Sequence, residues 1–103
     1  MIALFAEQMA RKLFAQHLAG RIVNLRFGTD RTIFAQTRVY ADHADVVLSL
    51  PLTAANPEPV VKDVLLHEVA HLLVGYQHQH DDVWTAKALA LGVVNPSPFC
   101  GAR

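Results

Sequence analysis

The sequence has very little cysteine and no excess of charge of either sign. Its 103 residues include a single cysteine, Cys100, which excludes an internal disulfide and a four-cysteine zinc ribbon. Nine basic residues balance nine acidic ones, which argues against a protein that holds nucleic acid by bulk positive charge. We therefore expect any DNA binding to be weak and to disappear at moderate salt.

Long apolar segments are also missing. The longest stretch without Asp, Glu, Lys or Arg runs from Ala88 to Ala102, is interrupted by Pro96, and falls short of the roughly 18 apolar residues that span a membrane. No basic residue precedes Arg11, and Glu7 interrupts the first apolar run, so a secretory signal is not expected. We expect a cytoplasmic, intracellular protein without membrane contact. Its 52 % apolar content suffices for a single domain over residues 1–103.

The pattern of apolar residues and turn residues along the chain predicts an α+β fold. From about Ile2 to Ala19, apolar residues recur at helical spacing and end at Gly20, which predicts an N-terminal helix. Three short strands are predicted next, at Val23–Phe27, Ile33–Tyr40 and Val46–Leu50. Their short connections favour a small three-stranded antiparallel sheet, arranged as a meander. Pro51 then ends the third strand.

A long helix and a short one complete the prediction. Asn56 is a good N-cap, Pro57 suits the first helical position, and Gly75 ends the helix. Residues 60–74 are nearly all apolar, so this helix should be buried on most sides. The closing helix is expected from Asp81 or Asp82 to Leu91, followed by an irregular tail from residue 95.

The long helix contains a motif that indicates metal binding and general-base catalysis. His67-Glu68-Val69-Ala70-His71 is the HExxH pattern, which a shuffled chain of this composition would contain with a probability of about 0.01. Four residues turn a helix by about 400°, so His67 and His71 point the same way and can bind one divalent metal. Zinc suits imidazole ligands best. Glu68 lies about 100° away, where it can act as general base on a zinc-bound water that attacks a peptide bond.

The third protein ligand is left open by this reasoning. No glutamate follows Glu68 in the chain, so a downstream glutamate ligand is excluded. Two histidines just beyond the helix end remain, His78 and His80, and either can return over the metal after a turn at Gly75. Tyr76 could donate a hydrogen bond to a reaction intermediate, although packing beside the helix end is the simpler interpretation.

The segment from Pro51 to Gly92 resembles the SprT-like zinc metalloprotease family, which includes the Spartan proteases that act on DNA-bound proteins. The likeness rests on residues 65–71, Leu-Leu-His-Glu-Val-Ala-His, followed by a short loop and His80-Asp81-Asp82-Val83-Trp84. The resemblance implies that His80 is the third zinc ligand and that one Zn²⁺ is bound per chain. Aspartates stand where the family usually has Gly-Pro. Asp81 or Asp82 could cap the last helix, and Asp81 could instead orient a ligand histidine.

The sequence thus predicts a zinc-dependent endopeptidase, a minimal SprT-like domain without a zinc ribbon. His67, His71 and His80 would be the zinc ligands, Glu68 the catalytic base, and a protein or peptide the substrate. Two alternatives stay open: a non-catalytic, zinc-stabilised binding module, and a protease that acts on DNA-bound proteins. Glu68 favours the enzyme, because a structural metal site needs no base. The sequence does not define the oligomeric state.

Overall fold

The computed structural model describes residues 1–75 and 78–94 of the chain. The helices and strands are α1 (Ala3–His17), β1 (Val23–Gly28), β2 (Ala35–Val39), β3 (Ala44–Ser49), α2 (Leu50–Ala55), α3 (Glu58–Val74) and α4 (Asp82–Leu91). The predicted α+β class is confirmed, and α1, α3 and α4 are the three predicted helices. The tail that was predicted to be irregular lies outside the described residues.

The sheet is mixed rather than antiparallel, with the strand order β1-β3-β2. Thr37 of β2 faces Val46 in an antiparallel pair, whereas Leu25 of β1 faces the same Val46 in a parallel pair. The predicted antiparallel meander is therefore wrong. The reason is burial: β3 is buried at almost every residue, whereas β1 and β2 are partly exposed. Placing β3 in the centre removes the most apolar surface from water.

A short helix, α2, was not predicted. Pro51 does end the third strand, but it then occupies the first turn of α2, where a missing N–H costs nothing. The Ser49 hydroxyl accepts a hydrogen bond from the backbone N–H of Leu52 at 3.2 Å and so caps α2. Asn56, predicted to cap the long helix, instead ends α2 and donates its side-chain amide to the carbonyl of Leu52. The N-cap of α3 is Pro57.

Helix α3 is the centre of the fold. It packs against α1, α4 and β2, and ten of its 17 residues are buried, as the apolar run predicted. The end at Gly75 is also as predicted, with a φ of 88° that disfavours other residues. Helix α4 begins after Asp81 and ends at Gly92. His67, Glu68 and His71 of α3 are consequently held in a largely apolar interior.

Within residues 1–75 and 78–94, no helix combines the length and the hydropathy that crossing a membrane requires.

Candidate metal centre

Three imidazole rings converge at the end of α3. His67 and His71 lie one helical turn apart on this helix, and His80 approaches from the segment that leads into α4. The Nε2 atom of His80 is 2.8 Å from Nε2 of His67 and 3.1 Å from Nε2 of His71. The two helical histidines point the same way, as the spacing of the motif predicted.

The backbone around His80 is held in an uncommon conformation. His80 has a φ of 57°, the one positive φ outside glycine in the described part of the chain, which costs on the order of 1–2 kcal/mol. Asp81 directly follows His80, and its position is fixed because its carboxylate accepts a hydrogen bond from the backbone N–H of Trp84 at 3.0 Å. The N-cap of α4 therefore also fixes the direction from which His80 enters the cluster.

Trp84 closes the apolar side of the imidazole cluster. Its side chain is fully buried, and its ring centroid lies 4.5 Å from that of His67, 5.2 Å from His71 and 4.6 Å from His80. A large aromatic ring against all three imidazoles restricts their rotation and excludes water from that side. The sequence predicted that Trp84 anchors α4 in the core, but it did not predict the contact of Trp84 with the three histidines.

The donor set fits a divalent cation such as zinc. Burial, with the neighbouring imidazoles, lowers the pKa of His67 to about 3 and that of His71 to about 4, and burial also lowers the pKa of His80. The rings are therefore neutral near pH 7, which is the form that binds metals. One proton on Nε2 of His80 can be donated to only one of its two neighbours. A cation satisfies all three nitrogens at once. The two separations from Nε2 of His80, 2.8 and 3.1 Å, lie near the roughly 3.3 Å edge of a tetrahedron with Zn–N bonds of about 2.0–2.1 Å.

Glu68 is a buried carboxyl group next to this cluster in the sequence. Only 1 % of its surface is exposed, and burial raises its pKa from an ordinary 4.5 to about 8, against the opposing effect of a hydrogen bond from Thr37. The Thr37 hydroxyl on β2 donates to Oε1 at 3.3 Å. Oε2 is buried and has no hydrogen-bond partner among the described residues. Such an atom is costly to bury, which is characteristic of a group reserved for a ligand or a reaction.

Comparison with known proteins decides the family. A sequence model described as the SprT-like family matches residues 4–99. The chain belongs to the SprT-like family. A search of curated proteins and a search of solved structures each give no match. The resemblance seen in the motif therefore extends over nearly the whole SprT-like chain, and this membership suggests a role related to proteolysis.

His78, the alternative third ligand, lies outside the imidazole cluster of this SprT-like domain. Its Nδ1 atom is 2.7 Å from Oδ2 of Asp81, and its backbone lies beside His71, where it partly opposes the lowering of the pKa of that imidazole by burial. Asp81 caps α4, which is one of the two tasks considered for it. The ring that it contacts is that of His78 rather than that of the expected ligand His80. The choice of His80 as ligand stays a prediction, and Tyr76 lies outside the described residues.

The metal-free SprT-like chain should lose stability as the pH rises from 6.5 to 8. Unfolded, Glu68 releases its proton near pH 4.5, whereas the folded chain holds it to about pH 8, so a higher pH favours unfolding. The lowered pKa values of His67, His71 and His80 act oppositely up to about pH 7.5, because an unfolded imidazole is still half protonated at pH 6.5. We expect a net loss of roughly 0.5–1 kcal/mol, measured by urea unfolding in the presence of a chelator.

Glu68→Gln should remove this loss, because the amide does not titrate. Glu58→Gln is the matched control, since Glu58 lies in the exposed first turn of the same helix and should keep the behaviour of the wild type. The same pH dependence in wild type and Glu68→Gln would contradict the assignment of the raised pKa to Glu68.

Proposed function

We propose that this chain is a zinc-dependent endopeptidase in which His67, His71 and His80 hold the metal and Glu68 is the general base. The observation that carries the proposal is the convergence of three neutral imidazoles on one point, with a buried, half-satisfied carboxyl group in the same turn of α3. Three protein ligands and one open position are characteristic of catalytic rather than structural zinc sites. Membership of the SprT-like family supports the same conclusion.

Zinc bound there would supply Lewis acidity, which polarises a peptide carbonyl and makes water a stronger acid. The protein's own contribution is the handling of protons. Glu68, once ionised, accepts a proton from the attacking water and passes it to the nitrogen of the departing amine. The hydrogen bond from Thr37 to Oε1 leaves Oε2 as the atom for this transfer. Trp84 keeps the far side of the histidines dry, which strengthens the electrostatic interactions within the site.

The substrate would be a protein or peptide in extended conformation. Strand β2 is an edge strand, because it pairs with β3 alone in the described sheet. It is also the strand that carries Thr37, and therefore the edge nearest Glu68. An extended peptide can add to such an edge through backbone hydrogen bonds. This arrangement would lay a polypeptide along β2, with its backbone passing the candidate base.

The rival function is a non-catalytic zinc module. A structural site would leave the buried Glu68 without a purpose, although burying an unsatisfied carboxyl group lowers stability. The enzyme is therefore the better-supported function. Weak DNA binding, expected from the balanced charge, stays a prediction.

Metal removal tests the proposal directly. Protein purified without a histidine tag should bind one zinc per chain, measured by elemental analysis, and should cleave an unfolded protein such as casein. A chelator should stop the cleavage and lower the melting temperature, since ligand histidines without metal are buried polar groups. Added zinc should restore both properties. A zinc content near zero after incubation with the metal would exclude the proposed site.

A further inference from the structure

A groove runs from the candidate base along the inner face of β2 to the end of the sheet. One cavity, of about 480 Å³, lies between β2 and the last turn of α3 and is bordered by Thr37 and Gly75. A second cavity, of about 340 Å³, reaches Asp42 and His43. The cavities adjoin because they share the three residues Arg21, Val39 and Leu72.

The groove begins at the proposed site of reaction. Thr37 borders the larger cavity and also donates the hydrogen bond to Glu68. Leu72 forms the opposite wall and follows Glu68 by four residues, so it lies on the same face of α3, about 6 Å further along the helix axis. A polypeptide that passes Glu68 along β2 would therefore place the side chains that follow in this groove.

Arg21 is the arginine among the described lining residues of the groove. Its Nη1 donates a hydrogen bond to the carbonyl oxygen of Leu72 at 2.6 Å, which fixes the guanidinium and satisfies a carbonyl at the end of α3. Arginine carries five N–H donors, and the side chain is exposed. In the described part of the chain, the arginine ion pairs are those of Arg11 and Arg26, so Arg21 has no carboxylate partner there.

The remaining lining of the groove defines what can bind to Arg21. Val39 and Leu72 supply apolar walls, which suit the methylene groups of a side chain. Asp42, the one carboxylate among the described lining residues, borders only the smaller cavity and is 2.6 Å from Nδ1 of His43. A ligand with a short apolar stem and a terminal carboxylate would therefore meet complementary surface along its length and charge at its end.

From this geometry we propose that the groove is a specificity subsite and that Arg21 binds a carboxylate of the substrate. Because Arg21 is held one helical turn beyond Glu68, and an extended chain advances about 3.4 Å per residue, the carboxylate lies about two residues from the bond that is cut. The carboxylate belongs either to an aspartate or glutamate side chain or to the C-terminus of a peptide. This inference rests on the proposed peptidase activity.

The test uses blocked peptides based on a sequence that the protein cleaves in casein. The peptides differ at one position, which lies two residues before the cut bond in one series and two residues after it in the other. In the wild type, a glutamate peptide should have a kcat/KM about five- to tenfold above its glutamine analogue, as expected for a charge-assisted contact that is partly exposed. A peptide that ends at this position with a free carboxylate separates the two sources. Preference for it over the internal glutamate would identify the C-terminus as the ligand.

Variants of Arg21 test whether this residue causes the preference for the acidic peptide. Arg21→Gln keeps a donor for the carbonyl of Leu72 but has no charge, so the preference should vanish while the melting temperature stays close to that of the wild type. Arg21→Glu should reverse the preference toward a lysine peptide. Arg31→Glu is the matched control, since Arg31 is an exposed arginine that precedes β2 and does not border the groove. It should keep the preference of the wild type.

Cleavage without preference for the acidic peptide, or an unchanged preference in Arg21→Glu, would overturn the subsite while leaving the peptidase intact. If the wild type cleaves no peptide, the peptidase itself is wrong, and binding then decides the subsite. Fluorescence anisotropy with labelled glutamate and glutamine peptides should give tighter binding of the former to wild type than to Arg21→Gln. Equal affinities would overturn the subsite on its own.

Discussion

Replacing Glu68 with glutamine should lower kcat about 100- to 10,000-fold, while the protein still folds and binds one zinc per chain. The amide is close to the carboxylate in size, so the packing of this fully buried position in α3 is preserved. The Thr37 hydroxyl, which donates to Oε1, can donate equally to the amide oxygen. What is lost is the ability to accept a proton from the attacking water, and general-base catalysis typically contributes a factor of this size.

The measurement is the rate of casein cleavage by wild type and Glu68→Gln, each with one zinc bound. Glu58→Gln provides the matched control, because it makes the same chemical change on the same helix in an exposed position, and its rate should equal that of the wild type. Equal cleavage by wild type and Glu68→Gln would mean that another base or a contaminating protease is responsible. A wild type that cleaves no unfolded protein would favour the non-catalytic zinc module.

Features of this fold that depend on neighbouring residues could be predicted from the sequence. The HExxH spacing placed His67 and His71 on one face of a helix, because the direction of side chains follows directly from helix geometry. Gly75 was predicted correctly as a helix end, and the N-cap of α4 was predicted as either Asp81 or Asp82, of which the structure has Asp81. Caps are predictable because they depend on the backbone of a few adjacent residues. The missed helix α2 is too short to give an amphipathic pattern.

Features of the fold that depend on contacts between residues far apart in the sequence could not be predicted. The position of β3 between β1 and β2 depends on which strand buries the most apolar surface, and short connections alone suggested a meander. Thr37 contacts Glu68 across 31 residues of sequence, and this contact requires both the register of β2 and its packing on α3. No pattern in the sequence marks Thr37. The bond from Arg21 to Leu72 was missed for the same reason.

The resemblance to a family supplied what local reasoning had left open. Both His78 and His80 were compatible with a chain that turns at Gly75, and the motif alone favoured neither. The structure brings Nε2 of His80 to the other two imidazoles and ties the His78 ring to Asp81. Because the two histidines differ in environment, substituting each in turn tests which of them is the third ligand.

His80→Ala should weaken zinc binding by more than 100-fold, whereas His78→Ala should weaken it by about tenfold or less. Zinc-binding free energies of about 10–16 kcal/mol for four-ligand peptides correspond to roughly 3 kcal/mol per ligand, and each 1.4 kcal/mol is a factor of ten in affinity. His78 contacts the centre only indirectly. Its ring contacts Asp81, and its backbone, which lies beside His71, is unchanged by the substitution. Changes of this indirect kind typically cost 10- to 100-fold, and the exposed position of the His78–Asp81 pair favours the lower end.

Competition with a chromogenic chelator measures the affinities, and the fluorescence of Trp84 gives an independent signal. Trp84 is the one tryptophan of the chain and touches all three imidazoles, so binding of zinc should change its emission. His17→Ala is the control, because His17 lies in the last turn of α1 and should leave the affinity unchanged. A larger loss in His78→Ala than in His80→Ala would make His78 the third ligand. Because His80 occupies a left-handed backbone conformation, His80→Asn provides a second variant that tolerates this conformation, and an equally large loss would attribute the effect to the missing imidazole rather than to the backbone.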